Sequence, residues 1–81
     1  MLRTELNRYI GAIIEALDEA KGQPVGESII YLGIGMNFGL WQDIRQVLVD
    51  GGVIEISGEY GVNLTPKGQD LAGQIKAARA A

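Results

Sequence analysis

The stretch from Leu48 to Gly68 constrains the fold more than any other part of the chain. It reads Leu-Val-Asp-Gly-Gly-Val-Ile-Glu-Ile-Ser-Gly-Glu-Tyr-Gly-Val-Asn-Leu-Thr-Pro-Lys-Gly. Two adjacent glycines, Gly51 and Gly52, stop a helix. Residues 53–57 and 60–65 then alternate apolar with polar side chains around Ser57-Gly58-Glu59, the period of two half-buried strands joined by a short turn. Thr65 is a good N-cap, and Pro66 suits the first position of a new helix because its missing N–H would be unpaired there anyway. One short segment therefore demands a helix end, a β-hairpin and a helix start in succession.

Upstream, Leu2, Leu6, Ile10, Ile13, Ile14 and Leu17 recur at three- and four-residue steps and predict a first helix over about residues 2–21. Gly22 is its expected C-cap. Gly11 lies within the stripe, where it either permits a close helix crossing or is simply tolerated. Gln23-Pro24-Val25 is read as a stub strand. Gly26 opens a second helix from Glu27 to about Leu32, with Glu27 favoured at the positive helix end and Ile29, Ile30 and Leu32 as core candidates. Residues 33–39 form a glycine-rich turn. Asn37 caps a third helix running to about Asp50. Its expected buried face carries Leu40, Ile44, Val47, Leu48 and Gly51; Phe38, Gln42, Arg45, Gln46 and Val49 face outward, with Trp41 on the flank. On the last helix Leu71, Ala72, Ile75 and Ala78 form the apolar side, while Asp70 near its start and Lys76 and Arg79 near its end suit the helix dipole.

The expected fold class is mostly α with a small β-hairpin, in one domain over residues 1–81. That order resembles the winged helix-turn-helix superfamily. Residues 25–33, with their Leu32-Gly33 exit, look like the second helix of that motif. Leu48 followed by Gly52-Val53-Ile54 looks like the exit from a recognition helix. Leu64-Thr-Pro-Lys-Gly68 is similar to the segment after the wing in MarR- and PadR-like regulators. The resemblance covers essentially the whole chain. It implies a helix-(stub strand)-helix-turn-helix-hairpin-helix fold that binds duplex DNA, with the third helix in the major groove and Asn37, Gln42, Arg45 and Gln46 at base edges. Arginine suits guanine and glutamine suits adenine by bidentate hydrogen bonding. It also implies a transcriptional regulator, dimeric through the first and last helices near the alanine-rich residues 72–78.

The charge pattern keeps a second function open. Seven Lys and Arg residues stand against ten Asp and Glu residues, for a net charge of −3. Duplex affinity rests largely on neutralised phosphates, and the turn of the hairpin offers Glu59 where a phosphate contact would need a base. Phe38, Trp41 and Val49 define an alternative surface for a protein partner. A small accessory protein of a phage or mobile element is a third reading.

Other chemistries find little support. The chain has no cysteine and no histidine, which removes disulfides, thiol chemistry and the commonest general base and metal ligand. No Ser, Lys or carboxylate group stands in a catalytic arrangement, so no enzyme, cofactor or metal is expected. Gly33-x-Gly35-x-x-x-Gly39 has the wrong spacing and context for a dinucleotide loop. Glu15, Asp18 and Glu19 read as a solvated helix face, and Tyr31, Tyr60 and Trp41 as core rather than a stacking platform for bases. No apolar run approaches the roughly 20 residues needed to cross a bilayer. The opening residues alternate charged with apolar side chains instead of forming a leader, and a cytoplasmic protein is expected.

Overall fold

A computed structural model describes residues 2–80; Met1 and Ala81 lie outside the described residues. Four helices surround a small antiparallel sheet. The order is α1 (Arg3–Glu19), β1 (Val25–Gly26), α2 (Glu27–Ile34), α3 (Phe38–Asp50), β2 (Ile54–Ser57), β3 (Gly61–Leu64) and α4 (Pro66–Ala80). The element types and their succession are those expected from the sequence.

The sheet has the order β1-β3-β2. Ile54 stands opposite Leu64, Ile56 opposite Val62, and Ser57 opposite Gly61, with Gly58 at φ 69° in the turn between them. The stub strand pairs Val25 with Val62 and Gly26 with Gly61. Gly61 has no room for a side chain: a Cβ there would stand 2.5 Å from the Ser57 carbonyl oxygen and 2.9 Å from Pro24 Cβ.

The core draws on every helix and the sheet. Ile13, Ile14 and Leu17 of α1 meet Ile30 of α2, Trp41, Ile44 and Leu48 of α3, Val53, Ile54 and Val62 around the hairpin, and Ala72 of α4. No polar or charged residue is buried among those described. Outside the core, α1 and α4 are clamped by Lys76–Asp18 and by Arg79 Nη1, 2.7 Å from Glu15 Oε2. The hydrogen bond from Lys76 and the charge of Asp18 hold the ammonium above its ordinary pKa. The contribution of that pair is present at neutral pH and is lost as the pH rises through the raised value.

Several details depart from the sequence reading. Helix α2 runs through Gly33 to Ile34, and Phe38 and Gly39 already belong to α3, so only residues 35–37 remain as the turn. Gly35 supplies the reversal at φ 91°, and its N–H donates to the Tyr31 carbonyl at 3.0 Å. Met36 fills the space under the turn at 4% exposure. On α2 only Ile30 is buried; Ile29 and Leu32 are 70% and 68% exposed. The buried stripe of α3 is Trp41, Ile44 and Leu48, so it is rotated toward Trp41 and leaves Val47 out. Trp41, Ile44 and Leu48 recur at three- and four-residue steps and form one stripe, which Val47 does not share. Helix α1 ends earlier than expected, and both Lys21 and Gly22 adopt positive φ in the turn that follows. A Cβ on Gly11 would meet nothing within 4 Å, so no close crossing requires that glycine.

The junction before α4 is built by four residues of Leu64-Thr-Pro-Lys-Gly68, with Pro66 as the first residue of the helix. Leu64 packs partly buried against the core. The Thr65 hydroxyl oxygen accepts from Gly68 N–H at 3.1 Å, and the hydroxyl reaches the Gly52 and Val53 carbonyls. Thr65 N–H donates to the Val53 carbonyl at 3.0 Å. Lys67 Nζ donates to the Gly51 carbonyl at 2.7 Å, placing a cation at the negative end of α3. Gly68 lies so close to the chain entering β2 that a Cβ would stand 2.1 Å from the Val53 carbonyl oxygen.

Gly68→Ala is therefore expected to destabilise the fold by about 2–4 kcal/mol, as backbone must move to admit one methyl. Gly73→Ala, on the same helix with open space around it, is expected to gain roughly 0.5–1 kcal/mol from helix propensity. Urea denaturation of the two variants checks both signs. Equal midpoints would contradict the close approach at Gly68.

Candidate functional site

Two expected site residues are already engaged in building α3 and its surroundings. Asn37 caps the helix, its Oδ1 accepting from Leu40 N–H at 2.8 Å. Arg45 reaches across to α2, where its Nη1 forms a hydrogen-bonded ion pair with Glu27 Oε1. The same Oε1 accepts from the Trp41 indole N–H at 3.3 Å. The Glu27 and Arg45 side chains are 14% and 28% exposed. Glu27 also binds through its backbone, as its N–H donates to the Tyr60 carbonyl at 3.0 Å. One residue thus fastens the hairpin turn, the start of α2 and the middle of α3.

The other expected contacts lie differently. Gln42 and Gln46 are exposed on α3, as a recognition surface requires, but Gln46 Nε2 donates to Asp50 Oδ1 at 2.8 Å. Trp41 is fully buried, so it contributes nothing to an outer surface. Val49 is half-buried and packs against the core. Phe38 is 49% exposed and does face outward.

Phe38 belongs to a group that sequence spacing alone did not assemble. Its ring meets Tyr31 edge-on at a centroid distance of 5.6 Å, and Tyr31 in turn lies 6.4 Å from the Trp41 ring. Tyr60, expected in the core, is 69% exposed at the hairpin turn. Together Gly26, Glu27, Ser28, Tyr31, Phe38 and Tyr60 line a surface cleft of about 440 Å³. The three rings come from α2, α3 and the hairpin, the elements that Glu27 also bonds to one another.

Charge in the segment that forms β1, α2, α3 and the hairpin is strongly one-sided. Between Gly22 and Pro66 the chain carries Glu27, Asp43, Asp50, Glu55 and Glu59, against Arg45 as its one cation. That cation is paired internally. Asp43, Asp50, Glu55 and Glu59 form no ion pair among the described residues. Lys67, just beyond this segment, is turned to the Gly51 carbonyl.

Elsewhere, the α1–α4 faces expected to support a dimer already pack on each other within the chain, with Ala72 buried and Ile75 half-buried between them. A second cleft of about 400 Å³ lies between the end of α1, β3 and α4, lined by Asp18, Lys21, Asn63 and Lys76 among others. No group of residues suited to hold a metal ion occurs among the described residues. No helix among them is long and apolar enough to cross a membrane.

The chain matches no protein-family model and no curated protein. Functional assignment therefore rests on the geometry of its own residues.

The Glu27–Arg45 pair is expected to have a measurable coupling. In a double-mutant cycle of Glu27→Gln and Arg45→Ala, the coupling energy should be about 1–2 kcal/mol, at or above the upper end for exposed pairs because both groups are partly shielded. Glutamine keeps an acceptor for Trp41 while removing the charge, so the cycle isolates the ion pair. Additive losses in denaturation midpoints would show that the pair does not link α2 to α3.

Proposed function

We propose that the chain is a winged-helix protein-interaction module whose contact surface centres on Phe38 and the aromatic cleft beside it. The winged-helix reading draws support from the element order, the β1-β3-β2 sheet and the placement of the hairpin beside α3. One observation carries the choice of partner: the lone cation between Gly22 and Pro66 is neutralised by Glu27. A DNA-binding face of this shape depends on cations at phosphates, because counterion release supplies most of the sequence-independent affinity. What α2, α3 and the hairpin offer instead is exposed apolar surface at Phe38, Ile29, Leu32, Val47 and Tyr60. Apolar side chains close to unpaired polar groups suit a protein interface.

A second reading, a transcriptional regulator on duplex DNA, is favoured by Gln42 and Gln46, which are exposed one helical turn apart on α3. Its contacts would be Asn37, Gln42, Arg45 and Gln46, and Arg45 would first have to leave Glu27.

Two measurements separate the readings. Titration with mixed-sequence duplex at low salt is expected to give no binding. A salt-dependent isotherm that Arg45→Ala weakens would overturn the interaction reading in favour of DNA. Phe38→Ser is expected to change stability by less than about 1 kcal/mol, as the ring is half-exposed, and to abolish capture of a protein partner from a lysate. Unchanged capture would count against the Phe38 surface.

A further inference from the structure

The cleft between the end of α1, β3 and α4 shares no residue with the one beside Phe38. Its volume, about 400 Å³, lies within the roughly 300–1,000 Å³ of small-molecule sites. Polar side chains dominate its lining: Asp18, Lys21, Gln23, Asn63, Gln69 and Lys76. No aromatic ring lines it among the described residues. Gln23, Asn63 and Gln69 bring three carboxamides to one small space, and each carboxamide offers both donors and an acceptor. Hydroxyl groups match that pattern, because they too donate and accept.

Two groups of this wall are left without a partner by the chain. Asn63 Oδ1 is buried and accepts no hydrogen bond. A buried acceptor without a donor is unfavourable, and a donor brought by an occupant relieves it. Lys21 forms no ion pair among the described residues, whereas Lys76 is engaged by Asp18. The backbone at Lys21 adds a separate observation. At φ 51° it is the one described residue other than glycine in the left-handed region, next to Gly22 at φ 87°. Glycine would hold that turn with less strain. Main-chain bonds close the turn, from Lys21 N–H to the Asp18 carbonyl and from Gln23 N–H to the Ala20 carbonyl, both at 3.1 Å. Neither bond involves the lysine side chain. A charged residue held in a strained backbone, with its charge unmatched at the mouth of a polar cleft, has the character of a ligand contact.

We infer that this cleft binds a small hydroxylated acid, a sugar acid or a sugar phosphate, whose acid group pairs with Lys21 and whose hydroxyl groups bond the carboxamides of Gln23, Asn63 and Gln69. One acid group suffices, because the Lys76 charge is already matched by Asp18. Carboxylate and phosphate offer Lys21 the same chemistry. The occupant touches the turn after α1, β3 and α4 together, so binding stabilises the folded chain. This site is independent of the Phe38 surface and stands or falls without it.

The test titrates the full chain, isotopically labelled, at low salt with gluconate and with glucose 6-phosphate. Glucose and inorganic phosphate, each carrying half of the chemistry, serve as controls. At least one of the two acids is expected to shift backbone signals of residues 20–23, 63–64 and 69, and the tighter one identifies the acid group. Both controls should bind at least about fivefold more weakly than that acid. Lys21→Gly should reduce the affinity for the acid to that for glucose, while the urea midpoint of the free protein stays the same or rises as strain is released. Lys21→Arg, which keeps the charge, should retain binding. Asn63→Ala should weaken the acid and glucose alike. The inference is overturned if neither acid shifts these signals, if inorganic phosphate alone binds as tightly as the acid, or if Lys21→Gly keeps full affinity. A lower midpoint for Lys21→Gly also overturns it, since that assigns the lysine to the fold.

Discussion

Glu27 is the residue on which the arrangement of α2, α3 and the hairpin turns. Its position is set by chain geometry: it is the first residue of α2, where a carboxylate is favoured by the exposed N–H groups of the helix start. From there its backbone N–H holds Tyr60, and its side chain holds Trp41 and Arg45. Apolar packing alone would leave the two helices free to slide, since dispersion and hydrophobic burial are not directional. A carboxylate receiving an indole N–H and a guanidinium is directional. The charge-assisted bond adds stability only because both groups stay partly hydrated; full burial of the pair would cost more in desolvation than the attraction returns.

A second junction holds the far side of the fold by contact rather than charge. Thr65, Lys67 and Gly68 join the end of α3, the start of β2 and the first turn of α4. The carbonyls that a helix leaves unpaired at its C-terminus must find donors. Here the N–H groups of Gly51, Gly52 and Val53 reach the Val47, Val49 and Leu48 carbonyls, and the Lys67 ammonium and Thr65 hydroxyl bond the carbonyls of the turn that follows. The resemblance of Leu64-Thr-Pro-Lys-Gly68 to a segment of DNA-binding regulators is thereby explained without reference to DNA. Thr65, Lys67 and Gly68 each make a contact that turns the hairpin back onto a helix.

The element plan was legible because it is written in local signals. Paired glycines, Thr65-Pro66 and period-two alternation act over a few residues, and a helix cap such as Asn37 acts over three. Orientation was less legible because it depends on which side chains compete for the same volume. The core meets α3 along Trp41, Ile44 and Leu48 instead of along Val47, and the exposed Ile29 and Leu32 follow from a short helix that has only one side on the core. The candidate site was least legible. Arg45 reads as an outward cation on a helical wheel, and only the approach of α2, eighteen residues earlier in the chain, turns it inward. The cleft likewise joins Tyr31, Phe38 and Tyr60 from three elements, and no spacing rule relates them.

The charge pair also decides what this face can gain from a ligand. For Arg45 to serve a phosphate, it must exchange one anion for another and leave Glu27 bare at 14% exposure. A phosphate contact in water contributes no more than the partly shielded pair it would replace, while an unmatched, partly shielded carboxylate costs on the order of 1–3 kcal/mol. The exchange is therefore unfavourable unless several other cations share it, and α2, α3 and the hairpin contain none. Burial of apolar surface needs no such exchange. Each 100 Å² of ring and alkyl area covered by a partner contributes on the order of 2.5 kcal/mol before ordering costs, with Glu27 and Arg45 left in place. The interaction that gives this face its shape is thus also the one that favours an apolar anchor over a phosphate.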